Sequence, residues 1–84
     1  MPAAHLTLIS KPGCHLCDDA REVVTAVLTE FDGVSIEELS ILDHPDLHEK
    51  YVEEIPVLLL NGAVHNIWRV DAERLRRALQ EATA

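Results

Sequence analysis

Basic residues are scarce in this sequence. Its 84 residues include 7 Lys and Arg against 15 Asp and Glu, which gives a formal net charge of −8 at pH 7. The basic residues also form no dense run. Nucleic acids and anionic membrane surfaces bind proteins through Lys and Arg side chains that neutralise phosphate groups. Neither is therefore expected as a partner of this chain.

Long apolar segments are missing as well. No stretch approaches the roughly 20 apolar residues that a membrane span requires, and the N-terminal "MPAAHLTLIS" lacks the basic start and apolar core of a secretory signal. We therefore expect a cytoplasmic location. Apolar residues make up 48% of the chain and charged residues 26%, as in ordinary globular proteins. A chain of this length fits one domain, spanning residues 1–84.

Cysteine occurs only twice, as Cys14 and Cys17 in "CHLC". In a reducing compartment such a pair is seldom a structural disulfide, so catalytic, sensing or metal-binding roles are favoured. A zinc ion or iron–sulfur cluster normally takes four Cys or His ligands. Because the sequence has no second Cys pair and its five histidines are scattered, we assign no metal ligands within one chain. A cluster shared between two chains stays open, as do two incidental thiols.

The first half of the sequence predicts a strand, a helix and a second strand. "HLTLI" (residues 5–9) has the length and apolar content of a buried strand. From Cys17 to Phe31, apolar residues recur at three- and four-residue spacing, and Gly33 follows, which indicates a helix. The branched segment 34–41 predicts a partly exposed strand, because two glutamates interrupt its alternation. Strands joined through a helix run parallel, with a right-handed crossover.

The second half predicts a short helix, a hairpin and a last helix. Pro45 suits the first position of the short helix. "VLLLNGAV" predicts a hairpin with Asn61-Gly62 as a type I′ turn and a return strand to about Trp68, whose side chain is expected to cover the core. Asp71 can cap the last helix, whose arginines are expected to lie largely in water. The predicted fold is α/β, a four-stranded mixed sheet with three helices in the order β-α-β-α-β-β-α.

The spacing of the two cysteines suits thiol–disulfide exchange. Cys14 would lie at or just before the first helical residue, where free amide groups and the helix dipole favour a thiolate. Lys11 adds positive charge nearby, whereas Asp18, four residues on, opposes the thiolate. The three-residue spacing lets the sulfurs join within one helical turn, so Cys17 can resolve a mixed disulfide formed by Cys14.

Three segments, "KPGCHLC", "EIPVLLLNG" and "DAERLRRAL", together resemble glutaredoxins, and more closely a small glutaredoxin-like branch of the thioredoxin fold. The resemblance covers nearly the whole chain. It implies a thioredoxin-like (glutaredoxin) fold and a thiol–disulfide oxidoreductase with Cys14 as the nucleophile and Cys17 as the resolving thiol. It also implies a cis peptide bond between Ile55 and Pro56, facing the cysteines and presenting the Ile55 backbone to an extended substrate.

The resemblance extends to substrates. Lys11 and Asp71 match positions that hold the charges of glutathione, and Arg69 is a further candidate for a carboxylate. Where glutaredoxins usually carry a Gly-Gly pair before the last helix, this sequence reads "HNIWRVD". The expected substrates are protein or low-molecular-weight disulfides, with no bound cofactor. Glutathione as co-substrate and a thioredoxin-type reductase both stay open as electron donors.

His15 departs from the proline that glutaredoxins commonly carry between the two cysteines. Its protonated imidazole beside Cys14 would favour the thiolate and make the couple more oxidising. Two other functions stay open beside the oxidoreductase. One is a module that binds or delivers an iron–sulfur cluster through Cys14 with glutathione or a second chain, and the other is a non-catalytic scaffold for partner contacts.

Overall fold

The computed structural model describes residues 3–84 and contains four strands and three helices. In chain order these elements are β1 (Ala4–Ser10), α1 (His15–Leu28), β2 (Val34–Ser40), α2 (Pro45–Tyr51), β3 (Val57–Leu60), β4 (Ala63–Ile67) and α3 (Ala72–Ala82). The predicted element order is confirmed. Helix α1 begins at His15, two residues before the first residue of the predicted apolar stripe, because Cys14 caps its first turn.

The strands form one mixed sheet in the order β2-β1-β3-β4. Strand β1 is parallel to β2 and antiparallel to β3, and β3 is antiparallel to β4. The predicted hairpin is therefore confirmed. Its turn has positive φ at both central residues, 51° at Asn61 and 86° at Gly62, which is the requirement of a type I′ turn.

Helices cover both faces of the sheet. Helices α1 and α3 pack on one face, where Val24, Leu75 and Leu79 meet Leu6 and other buried strand residues. Helix α2 packs on the other face against a second group of buried residues, which includes Ile9, Tyr51 and Val57. Strand β1 lies in the middle of the sheet and is buried on both faces, which explains why its sequence is almost continuously apolar. No helix within residues 3–84 combines the length and the apolar character needed to cross a membrane.

Two side-chain predictions in the second half are wrong. Strand β4 ends at Ile67, and the following Trp68 is 52% exposed rather than covering the core. Arg76 is not largely in water, since its side chain is 29% exposed and forms ion pairs with Glu30 and Glu73. This second difference arises because α3 packs beside α1, so that Arg76 reaches Glu30 just beyond the end of α1.

The sheet register determines where the cysteines lie. Ile9 of β1 pairs with Val57 of β3, and the two strands run in opposite directions. The loop that leaves β1 toward Cys14 and the Ile55-Pro56 segment that enters β3 therefore lie at the same edge of the sheet. Residues far apart in the sequence thus share one site.

Candidate redox site

Cys14 is the N-cap residue of α1. Its backbone is extended, with φ −99° and ψ 115°, and its Sγ accepts a hydrogen bond of 3.2 Å from the backbone N–H of Cys17. The carbonyl of Cys14 accepts the N–H of Asp18 at 3.1 Å, the first turn of the helix. The side chain is half-buried. A sulfur at this position lies at the positive end of the helix dipole, where a negative charge is stabilised.

Cys17 lies one turn further and is completely buried. Both cysteines are free thiols in this structure. Burial, the largest cause, and a hydrogen bond with Cys14 raise the pKa of the Cys17 thiol from an ordinary value of 9.0 to about 11. A hydrogen bond from the backbone of Lys11 and the positive charge of Arg21 act in the opposite direction. The two cysteines therefore differ in accessibility as nucleophile and resolving thiol do in such a pair.

The loop between β1 and α1 brings the cysteines to the surface. Lys11, Pro12 and Gly13 are all exposed, and Gly13 has φ +73° with no neighbouring atom near the position of a Cβ. Lys11 contacts Cys17 through its backbone. The predicted influence of its ammonium group on Cys14 stays a prediction.

The peptide bond between Ile55 and Pro56 is cis, as the resemblance implied. The Ile55 side chain is buried and packs with the residues under α2. Within residues 3–84, neither the N–H nor the C=O of Ile55 has a hydrogen-bond partner. A buried residue with free backbone groups beside the cysteine loop is suited to pair with the backbone of an extended chain.

Arg21 is a residue of the site that the sequence analysis missed. Its guanidinium forms ion pairs with Asp18 and Glu38, and the Ser10 hydroxyl donates to Glu38 at 2.7 Å. Arg21 and Ser10 together hold the pKa of the Glu38 carboxyl below its usual range, with Arg21 contributing most. The signal was present in the sequence, because Arg21 is four residues after Cys17 and therefore on the same face of the helix.

The other predicted residues lie around this centre. His15 is the first residue of α1 and is exposed. Asp71 caps α3, with its carboxylate accepting the N–H of Arg74 at 3.1 Å. Its predicted binding of substrate stays a prediction. Arg69 lines a cleft of about 190 Å³ that runs along α1 from Leu16 to Val23.

The comparisons with known proteins agree with this description. The sequence model of the glutaredoxin-like domain family (DUF836) matches residues 5–80. The chain belongs to this family. An uncharacterized protein of Mycobacterium tuberculosis is 28% identical over 87 residues, which cover 99% of this chain and 90% of that protein. The predicted resemblance to glutaredoxins is thereby confirmed.

Solved structures place this glutaredoxin-like domain in the thioredoxin fold. The structural genomics target XcR50 from X. campestris is 32% identical, with a TM-score of 0.71 over 90% of this chain and 96% of that chain. A mutant thioredoxin from Halobacterium salinarum is 19% identical, with a TM-score of 0.73 over 99% of this chain and 77% of that chain. The latter likeness shows the fold alone. A thioredoxin-like fold that carries two neighbouring cysteines indicates a function of the redox type.

Among residues 3–84, no group of three or more His, Cys, Asp or Glu side chains is placed to hold a metal ion. The five histidines are distributed over several elements and loops of the glutaredoxin-like domain. The two free thiols, Cys14 and Cys17, lie close together at the start of α1.

Proposed function

We propose that this glutaredoxin-like protein is a thiol–disulfide oxidoreductase in which Cys14 is the nucleophile and Cys17 the resolving thiol. The Cys14 thiolate attacks one sulfur of a substrate disulfide, forming a mixed disulfide and releasing the other sulfur as a thiolate. Cys17 loses its proton to solvent or to the released thiolate and attacks Cys14. The second substrate thiolate leaves. Two electrons have then passed from the cysteine pair to the substrate, which becomes two thiols.

The observation that carries this proposal is the asymmetry of the two sulfurs. The half-buried Cys14 is the one that an incoming disulfide can reach, and it accepts the Cys17 N–H at the start of α1. The fully buried Cys17 is protected until a mixed disulfide forms next to it. The fold thus supports a division of roles that sequence spacing alone leaves unassigned.

Ile55 is the proposed contact for the substrate backbone. Its free N–H and C=O lie next to Pro56 at the edge of the sheet from which the cysteine loop leaves. An extended substrate that pairs there would add a short strand, so that affinity comes from main-chain hydrogen bonds. The proposed substrates are protein or low-molecular-weight disulfides. Regeneration of the reduced pair requires an external thiol, either glutathione or the dithiol of a thioredoxin-type reductase system.

The experiment is a comparison of wild type, Cys14→Ser and Cys17→Ser. Each protein is reduced, freed of reductant and mixed with a small mixed disulfide of glutathione, and the released thiol is measured. We expect wild type to release both thiols and Cys14→Ser to release none. Cys17→Ser should release one thiol and retain the other as a mixed disulfide with Cys14, visible by mass spectrometry.

Turnover with added glutathione then separates two routes. Activity that survives in Cys17→Ser indicates a monothiol route through glutathione, whereas its loss indicates the dithiol route. Reduction of the substrate by Cys14→Ser at the wild-type rate would exclude the proposal and favour a scaffold. Purification of the protein without oxygen, with stoichiometric iron and sulfide, would favour a cluster-binding module instead.

A further inference from the structure

Trp68 adopts a backbone conformation that is rare for an aromatic residue. Its φ is 63°, and the N–H of Arg69 donates to the carbonyl of Ile67 at 2.8 Å, so Trp68 is the central residue of a γ-turn. Turns of this hand are rare and strained, and bulky residues seldom have positive φ. Strained residues of this kind cluster at sites of function. The position therefore calls for an explanation beyond core packing, because the side chain is 52% exposed.

The contacts of Trp68 hold it against the proposed substrate-pairing segment. Its backbone N–H is shared between the carbonyl oxygens of Pro56 at 2.8 Å and Glu54 at 3.4 Å, the two neighbours of Ile55. Its indole Nε1–H donates to the carbonyl of Glu53 at 3.1 Å. These bonds fix both the backbone and the ring. A chain that pairs with the free backbone of Ile55 would therefore meet the indole.

On its other side Trp68 faces the cysteine helix. Together with Arg69 it forms one wall of the cleft of about 190 Å³ whose other wall includes Leu16 and Asp19. Leu16 lies between the two cysteines in the chain. Trp68 thus spans the distance from the substrate-pairing segment to the first turn of α1, so a residue flanking the substrate cysteine would lie against it.

The charges near Trp68 favour a cationic side chain. Within the cleft, Arg69 offsets Asp19. Glu53 and Glu54, whose carbonyls hold Trp68, form no ion pair within residues 3–84. An exposed indole face attracts Lys and Arg through its π electrons, and Trp is the best aromatic for this contact. The chain as a whole has a formal net charge of −8, which opposes the approach of anions.

We infer that Trp68 is a specificity-determining residue that selects protein disulfides with Lys or Arg next to the reacting cysteine, in preference to glutathione disulfide. This inference rests on the proposed function. The exchange itself is unchanged: Cys14 and Cys17 lose two electrons as one polypeptide disulfide becomes two thiols. Trp68 contributes a face for the flanking cation, whereas glutathione disulfide has no Lys or Arg side chain to place on the indole, and its net negative charge is opposed by the formal net charge of −8 of the chain.

The test measures single turnovers of the pre-reduced protein, which need no electron donor. Three disulfides are used: a peptide disulfide with Lys on both sides of each cysteine, the same peptide with Glu in place of Lys, and glutathione disulfide. For wild type we expect the Lys peptide to react at least about tenfold faster than glutathione disulfide. In Trp68→Gly this ratio should fall about two- to fivefold, the size of a cation–π contact at an exposed site. Glycine accepts positive φ without strain, so the turn should persist.

Two further variants control the experiment. Val64→Ala removes an apolar side chain of similar exposure, 53%, from the opposite end of β4, and it should leave the ratio unchanged. Trp68→Phe keeps an aromatic face and should retain part of the preference. An unchanged ratio in Trp68→Gly, with exchange intact, would overturn the inference alone. Wild type that prefers glutathione disulfide would also overturn it. Failure of wild type to exchange with any of the three disulfides would overturn the proposed function as well.

Discussion

The backbone N–H of Cys17 donates to the Sγ of Cys14 at 3.2 Å, so one cysteine stabilises the sulfur of the other while its own sulfur stays buried. The hydrogen bond belongs to the first turn of α1, where amide groups have no partner within the helix. The start of α1 thus places the Cys14 sulfur near free amide groups, which favour a thiolate, and places the Cys17 side chain in the protein interior. The two thiols differ in accessibility because Cys14 is the N-cap residue and Cys17 lies within the first turn of the same helix.

The first prediction concerns the resolving step. Burial is the largest cause of the raised pKa of Cys17, and it persists when Cys14 is held in a mixed disulfide, so only a small fraction of Cys17 is thiolate at neutral pH. The rate at which Cys17 releases thiol from a mixed disulfide on Cys14 should therefore rise about tenfold per pH unit from about pH 7 to about pH 10. The mixed disulfide can be formed with a chromogenic thiol at low pH, where Cys17 is inert, and its decay followed after a pH jump. A rate that does not change with pH would show that another group accepts the proton.

The second prediction concerns stability in alkali. The pKa of Cys17 is raised on folding, so the folded state holds the proton more tightly than the unfolded chain. The resulting stabilisation is complete below pH 9 and is lost as the pH rises through about 11. A shift of this size corresponds to about 2 to 3 kcal/mol in the free energy of unfolding.

Urea unfolding in a Cys14→Ser background, which cannot form the disulfide, measures the part of this effect that comes from burial, the largest cause of the raised pKa. Cys17→Ala in the same background is the matched control. The difference in free energy of unfolding between the two proteins should shrink as the pH rises from about 8 to about 11. A constant difference would mean that the Cys17 thiol does not titrate differently in the folded and unfolded states.

The fold could be predicted because local patterns and packing agree. The apolar β1, the three- and four-residue spacing of α1 and the Asn61-Gly62 turn each point to the element that is found. The position of Cys14 at the start of α1 follows from the same patterns. The missed parts depend on tertiary contacts. Nothing local indicates that Trp68 leaves the strand, since its conformation is held by carbonyls of residues 53–56, more than ten positions earlier.

The electrostatic surroundings of the site were harder to predict than its cysteines. Asp18 was expected to oppose the thiolate, but it forms an ion pair with Arg21, which also pairs with Glu38 on β2. The helix spacing of Arg21 relative to Asp18 was visible in the sequence. Its ion pair with Glu38 was not visible in the sequence, because the placement of α1 against β2 depends on tertiary packing. The isomer of the Ile55-Pro56 bond likewise came from the family resemblance, since an X-Pro sequence does not specify it.

The third prediction separates two roles of Asp71. Its carboxylate caps α3 through the N–H of Arg74, so Asp71→Ala should lower the free energy of unfolding by about 1 kcal/mol. Asp71→Ser, which can form the same cap, should remain within a few tenths of a kcal/mol of wild type. Urea unfolding measures both. If Asp71 also binds glutathione, Asp71→Ser should reduce glutathione disulfide more slowly than wild type without a loss of stability. Equal rates would leave Asp71 as a cap only.

The fourth prediction concerns His15, the exposed first residue of α1 next to Cys14. Proline is well tolerated at the first helical position, so His15→Pro should preserve the fold while removing the imidazole. Because a protonated imidazole stabilises the thiolate of the reduced state, its loss should lower the reduction potential, by about 10 to 20 mV if the charge contributes as a partly screened surface pair.

Redox titration against a dithiol buffer measures the reduction potential. His15→Gln is the control for the backbone change in His15→Pro, because it removes the imidazole without introducing a proline ring. The two variants should have similar potentials, and both should lie below that of wild type. A shift in His15→Pro alone would assign the effect to the backbone of the helix start. Equal potentials for all three proteins would mean that His15 does not influence the couple, and the thiolate of Cys14 would then depend on the Cys17 N–H and the helix terminus.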